Sequence, residues 1–273
     1  MHIKTLVEDR SNSSEFDIEH GLCLYIETSD QKILFDVGAS DLFLKNSRKL
    51  GVNIADIDFL VISHGHYDHG GGLKIFMKEN KKARIFIRQQ AFEKHYSLRS
   101  NDVLNYIGLE EELKQNKQII FTSDLFFVSK GIQLYSKVVQ REPLSQLNSK
   151  LLTEYNGQIF EDNFVHEQNL IIEENGKTLL ITGCAHNGII NILEHFRSIK
   201  GVMPDYVIGG FHLFSNCWGN EDSDVIDRIG RYLVETKTRF YTCHCTGIEP
   251  YKRLKTIIKD DIDYLSTGSE IVI

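Results

Sequence analysis

The run Ser63-His64-Gly65-His66-Tyr67-Asp68-His69-Gly70 packs four metal-ligand side chains into six residues, directly after the apolar stretch Phe59-Leu60-Val61-Ile62. That stretch reads as a short buried strand. Imidazole nitrogen and carboxylate oxygen suit zinc, manganese or iron. With His64 and His66 two apart and Asp68 and His69 adjacent, the turn can direct one pair at each of two neighbouring ions. Gly65 and Gly70 give the backbone the freedom such a loop needs. A polar loop with surface histidines is the plainer alternative, but this order of residues after a buried strand argues for a metal site.

The rest of the chain supplies strands and helices in two similar halves. Ile3 to Val7 reads as a strand, and Leu22 to Thr28 with Lys32 to Asp36 as a hairpin around Ser29-Asp30-Gln31. Ser40 to Leu50 reads as a helix stopped by Gly51, and Gly72 to Asn80 as the helix behind the metal loop, followed by a strand over Arg84 to Ile87. Residues 88–165 mix short signals and look irregular. Asn169 to Glu173 and Lys177 to Thr182 form a second hairpin around Asn175-Gly176. Beyond it, Asn187 to Ile199, Glu221 to Thr236 and Pro250 to Lys259 read as helices, alternating with strands at Tyr206 to Ile208, Arg239 to Thr242 and Tyr264-Leu265. This distribution favours a sandwich over a parallel-sheet enzyme. No linker or low-complexity segment divides the chain, so one domain over 1–273 is expected.

Composition narrows the function classes. The 273 residues are 41% hydrophobic and 25% charged, ordinary for a globular protein. A net charge of −7 argues against a general grip on nucleic acid. No apolar run approaches a membrane span, and Met1-His2-Ile3-Lys4-Thr5 shows no leader-like apolar segment. The five cysteines form no framework of paired spacings, so reduced thiols and a cytoplasmic location are expected.

His-x-His-x-Asp-His after a strand resembles the signature of the metallo-β-lactamase superfamily, and His64, His66, Asp68 and His69 match it position for position. The resemblance implies an α/β (α+β) fold, a four-layer αββα sandwich with one or two metals at the open end of its sheets. It also implies a metal-activated hydroxide as the usual nucleophile. Two divalent ions are expected, zinc first, with manganese or iron also suited. Gly183-Cys184-Ala185-His186 lies where relatives carry a bridging aspartate, so Cys184 is the candidate for that position and His186 a candidate ligand or substrate-polarising group. His244, in Thr242-Cys243-His244-Cys245, matches the last histidine ligand. Strand alternation would turn Cys243 and Cys245 away from it, which disfavours a Cys-His-Cys site. Asp36 matches the first motif and is expected to orient the metal loop by hydrogen bonding. His166 and Glu167 are the positional candidates for the superfamily's remaining histidine, although neither has its usual context.

Glu19-His20-Gly21-Leu22, Leu34-Phe35-Asp36-Val37-Gly38, Thr182-Gly183-Cys184-Ala185-His186 and Gly209-Gly210-Phe211-His212-Leu213 extend the match. Together with the metal loop and Thr242-Cys243-His244-Cys245-Thr246-Gly247, they resemble the dihydropterin ribofuranosylaminobenzene phosphate synthase-like branch. Membership implies metal-dependent hydrolysis or transfer on a small phosphate- or diphosphate-bearing, pterin-like substrate. Asp68, His186 and His212 are then the candidate catalytic residues, with His186 or His212 protonating the leaving group. His20 would sit at the mouth of the site, and residues 88–165 would cover the pocket. Arg88, Lys94, His95, Tyr96 and Arg99 are candidates to hold phosphate. A small molecule is the expected partner, without nucleic acid or membrane, and a homo-oligomer stays open. A thioesterase or lactonase, and a non-catalytic metal-dependent sensor, are the competing readings.

Overall fold

Alternation along the strands sorts apolar side chains to opposite faces of two sheets. The computed structural model describes residues 1–273. Leu24, Ile26, Ile33 and Phe35 point into the space between the sheets, whereas Cys23, Tyr25 and Leu34 point outward. Leu179 and Ile181 likewise point inward while Leu180 points outward. This is the period of two that a pleated strand imposes.

The first sheet has seven strands, in the order Glu270–Val272, His2–Val7, Cys23–Glu27, Lys32–Phe35, Phe59–Val61, Arg84–Ile87 and Ile119–Phe121. The second also has seven: Ile262–Tyr264, Arg239–Thr242, Tyr206–Gly209, Lys177–Ile181, Gln168–Glu174, Ile132–Ser136 and Leu125–Ser129. One apolar cluster joins their inner faces. Helices Leu42–Lys49 and Leu73–Glu79 cover the outer face of the first sheet. Helices Ile189–Lys200, Ser223–Thr236 and Ile248–Ile258 cover the outer face of the second. The layers are therefore α, β, β, α, as the motif resemblance implied. No helix is long and apolar enough to cross a membrane.

Register brings the loops together. Phe35 pairs in parallel with Val61, and Val61 with Phe86. In the second sheet Ile181 pairs in parallel with Ile208, and Ile208 with Tyr241. The loops carrying Asp36, His64, Cys184, His212 and His244 each leave the carboxyl end of one of these strands, and their side chains meet at one edge of the sandwich.

Both hairpins form where their turns indicated. Asn175 and Gly176 take φ of 52° and 73°, the left-handed pair a two-residue hairpin turn needs. Residues 88–165, by contrast, are not irregular. Ile119–Phe121 closes the edge of the first sheet, and Leu125–Ser129 with Ile132–Ser136 closes the second. Lys94–Leu98, Leu104–Tyr106, Leu151–Tyr155 and Gln158–Glu161 form a separate four-stranded antiparallel sheet. Two of its strands, Leu104–Tyr106 and Gln158–Glu161, are exposed throughout and Leu151–Tyr155 is half-buried along its length, so most of this sheet lacks the clean alternation that identifies a strand in sequence.

Leu179 is fully buried between the sheets. Leu179→Ala is expected to cost about 2–5 kcal/mol, read as a lowered denaturant midpoint at unchanged slope. A loss under about 1 kcal/mol would contradict this packing.

Candidate metal centre

The buried carboxylate of Asp36 organises the metal loop. Its Oδ1 accepts from the Ser63 amide at 2.7 Å, and its Oδ2 accepts from Ser63 Oγ at 2.7 Å and from His69 Nδ1 at 2.7 Å. A carboxylate only accepts, so His69 must carry its proton on Nδ1 and keep a lone pair on Nε2. Ser63 Oγ, its proton committed to Asp36, accepts from His64 Nδ1 at 2.9 Å, which leaves His64 Nε2 bare. Asp36 holds this position with a left-handed φ of 60°. That conformation costs a non-glycine residue of order 1 kcal/mol and is tolerated where surrounding bonds over-determine it.

Two half-sites result. In the first, His64 Nε2 lies 3.0 Å from His66 Nδ1, and the ligand atoms of His64, His66 and His186 lie within 4.8 Å of one another. Asn148 Nδ2 donates to the His186 carbonyl at 2.8 Å, which turns Asn148 Oδ1 toward His186 Nδ1 at 3.2 Å. His186 Nε2 is consequently bare, and it is buried without a hydrogen-bond partner. In the second, His69 Nε2 faces His244 Nε2 at 3.2 Å and Cys184 Sγ at 3.1 Å. Asp68 Oδ2 lies 3.4 Å from His244 Nε2 and 3.7 Å from His69 Nε2. Asp9 Oδ1 accepts from His244 Nδ1 at 2.6 Å, which aims His244 Nε2 at the lone pair of His69 Nε2. At that separation the two nitrogens share a cation, either a proton or a metal ion in its place. The donor set fits divalent zinc, manganese or iron, and each ring's far nitrogen is tied as metal-ligating histidines usually are.

Electrostatics favour the ligating forms of His64, His66, His186 and Asp68. Burial, then the neighbouring His69 and His66, holds His64 well below the usual histidine range. Burial also lowers His66, reinforced by His166 and His95, and lowers His186, reinforced by His212 and His66. Burial opposes ionisation of Asp68, but His69, His244 and His20 hold its carboxyl well below the usual range. At His244 burial is outweighed by Asp9 and Asp68, which raise it well above the usual range. This corner draws positive charge, and a metal ion competes there with a proton.

The neighbouring loops are held by groups with no motif of their own. Gly65 donates its amide to His166 Nδ1 at 2.9 Å, and His166 Nε2 donates to Asp162 at 3.1 Å. With both nitrogens engaged, His166 supports the loop backbone, and the third imidazole brought beside His64 and His66 is that of His186. Glu167 accepts from the amides of His186 at 2.7 Å and Asn187 at 3.0 Å, so it shapes the second loop. A Cβ at Gly183 would fall on Ser63 Oγ, which explains the glycine beside Cys184.

A cleft of about 190 Å³ opens above the half-sites. His20, Asp68, Arg99, His186, His212 and His244 line it. His20 donates Nδ1 to Asp9 at 2.7 Å and places Nε2 3.3 Å from Asp68. Four of the five phosphate-holding candidates lie elsewhere. Arg88 is buried against Thr122 and Asp124, and His95 is buried behind His66, bonded to Asp162 at 2.9 Å. Lys94 and Tyr96 are committed to Glu154. The alternation argument for Cys245 also fails. The chain leaves its strand at Thr242, His244 takes φ of 50°, and a 3₁₀ turn swings Cys245 onto the cleft floor. Asp9, Asn148 and Asp162 were missed in the sequence. Only Asp9 carries a signal, as part of an acidic pair just after the first strand.

Asp36→Asn removes the acceptor for His69 and should weaken metal binding about 10–100-fold, measured by competition with a chelator, while leaving the circular dichroism spectrum unchanged. Unchanged affinity would contradict the orienting role.

The sequence and the fold are similar to those of known proteins. The model of the metallo-beta-lactamase superfamily matches residues 17–125. An uncharacterized protein of Methanocaldococcus jannaschii is 28% identical over 260 residues, covering 93% of this chain and 94% of its own. The 7,8-dihydropterin-6-methyl-4-(β-D-ribofuranosyl)-aminobenzene-5′-phosphate synthase of the same organism is 28% identical over 284 residues, covering 98% of this chain and 95% of its own. The crystal structure of Tm1679, described as a metal-dependent hydrolase of the β-lactamase superfamily, superposes with a TM-score of 0.84 at 30% identity, covering 100% of this chain and 99% of that one. With fold and whole-length similarity in agreement, the chain belongs to the metallo-β-lactamase superfamily.

Proposed function

We infer that this chain is a metal-dependent hydrolase or transferase acting on a small substrate that carries a phosphate or diphosphate. The observation that carries this reading is the position of Arg99. It is the one lysine or arginine among the 16 residues lining the cleft. Its Nη1 contacts Cys217 Sγ at 3.0 Å, while its Nε is buried without a partner. A guanidinium with an unsatisfied donor, on the wall of a cleft that holds two cation half-sites, suits an anionic group whose reacting end lies at those half-sites.

The surroundings suit a larger, partly planar molecule. Beyond His20 and His244 the cleft meets an outer basin of about 700 Å³. On the other side Arg99 adjoins a groove bordered by Tyr67 and Tyr106, both exposed. Tyrosine faces offer stacking to a flat ring. A pterin-bearing phosphate, of the kind named in the Methanocaldococcus synthase, has these elements, and the similarity over nearly the whole chain supports it.

Divalent ions bound at the half-sites would lower the pKa of a coordinated water and polarise the electrophile. The chain's own groups then divide the work. Arg99 binds and orients the phosphate. Asp68 Oδ2, between His20 and His244, accepts a hydrogen bond from the attacking hydroxyl and orients it. His212 is buried, lines the cleft, and has neither ring nitrogen hydrogen-bonded, so it is placed to protonate the leaving group. His186, whose Nδ1 is tied to Asn148, serves better as a ligand than as this acid. If an amine or alcohol replaces water as the attacking group, the same arrangement performs transfer.

The test compares metal-loaded protein on phosphodiester, diphosphate, thioester and lactone substrates. Arg99→Ala should raise KM for the phosphorylated substrates about 10–100-fold, the loss of one charge-assisted contact, with kcat less affected. Faster turnover of thioesters or lactones, or a phosphate KM that ignores Arg99, would overturn this reading.

A further inference from the structure

Two thiols reach the metal floor, although the pattern of the strand placed one of them elsewhere. Of the five cysteines, Cys23 and Cys243 are buried in the apolar layers, and Cys217 lies beside Arg99. Cys184 and Cys245 both line the cleft, and neither forms a disulfide. Cys184 Sγ is 3.1 Å from His69 Nε2. The ligand atoms of Cys184, His244 and Cys245 all lie within 4.8 Å of one another. The turn that presents Cys245 is fixed on several sides. Phe211 donates its amide to Thr246 Oγ1 at 2.9 Å, Leu213 donates its amide to the Cys245 carbonyl at 3.0 Å, and the hydroxyls of Thr242 and Thr246 bond to each other. A Cβ at Gly210 would lie 2.5 Å from Cys245 Sγ, so the facing loop leaves room for that sulfur and for nothing larger.

We propose that Cys245 is a metal-binding residue, forming with Cys184 and His244 a two-sulfur face on the second half-site. This face selects a thiophilic divalent ion of the zinc class against magnesium or manganese. Soft thiolates bind zinc strongly and oxygen-seeking cations weakly. Each thiol gives up its proton to solvent as the ion enters, so binding strengthens as pH rises. The assignment rests on the metal-centre reading and adds to it a donor and a selectivity that an all-histidine and carboxylate centre would lack.

Cobalt(II) substitution tests it without any assay of activity. Thiolate bound to cobalt gives a ligand-to-metal charge-transfer band that histidine and carboxylate do not. Wild type should show the band. Cys184→Ser and Cys245→Ser should each lose roughly half of it and the double variant nearly all, while Cys217→Ser keeps it. Alkylation of the wild-type protein gives a second reading that needs no variant: metal loading should protect Cys184 and Cys245 together. A Cys245→Ser variant with the full band, or a Cys245 alkylated equally with and without metal, would overturn this assignment and leave the metal centre standing. Failure of wild type to bind cobalt at all would overturn both.

Discussion

The carboxylate of Asp36 is the contact on which the site depends. It sits at the end of a buried strand, with no exposure, and takes three hydrogen bonds from the loop that follows the neighbouring strand. Those bonds fix the loop's first amide, the serine hydroxyl that assigns the proton of His64, and the tautomer of His69. Without that carboxylate, the loop would present imidazoles in unassigned tautomers, and both half-sites would lose a defined nitrogen. Asp9 plays the equivalent part from the opposite side, holding His244 and His20 on its two oxygens.

The sandwich makes this convergence affordable. The parallel strands of both sheets end at one edge, so loops far apart in sequence deliver their side chains to the same few ångströms. Asp36, Ala185, His212 and His244 all take left-handed backbone conformations on these loops. Four such residues store strain at the site, offset by the apolar layer between the sheets and by the bonds that hold each turn. The small sheet from residues 94–161 lies over the metal loop and is tied to it through His95, Asp162 and His166. This arrangement joins the cleft wall that carries Arg99 to the ligands beneath it.

The core of the site was legible because its residues are adjacent in sequence. His64, His66, Asp68 and His69 follow one strand, and a fold that places that strand centrally brings them together. The hairpins and outer helices were legible from turn residues and apolar periodicity. Asn148 and Asp162 were not, because each acts through side-chain bonds to residues distant in sequence or to another loop, from a segment whose strands are too exposed to show alternation. Arg88 and His95 illustrate the converse. Both looked like phosphate-binding residues, but burial and nearby acceptors committed them to holding loops. Cys245 was misplaced because period-two alternation was extended past the end of the strand, where His244 turns the chain.

The central claim is that two half-sites exist, each with its own histidines. Elemental analysis of the purified wild-type protein beside His186→Ala and His69→Ala tests it most directly. The account predicts about two equivalents of a zinc-class metal per chain in wild type. Each variant should fall to about one, since each removes a ligand from a different half-site. A wild-type chain holding one equivalent or none, or variants that both retain two, would contradict it.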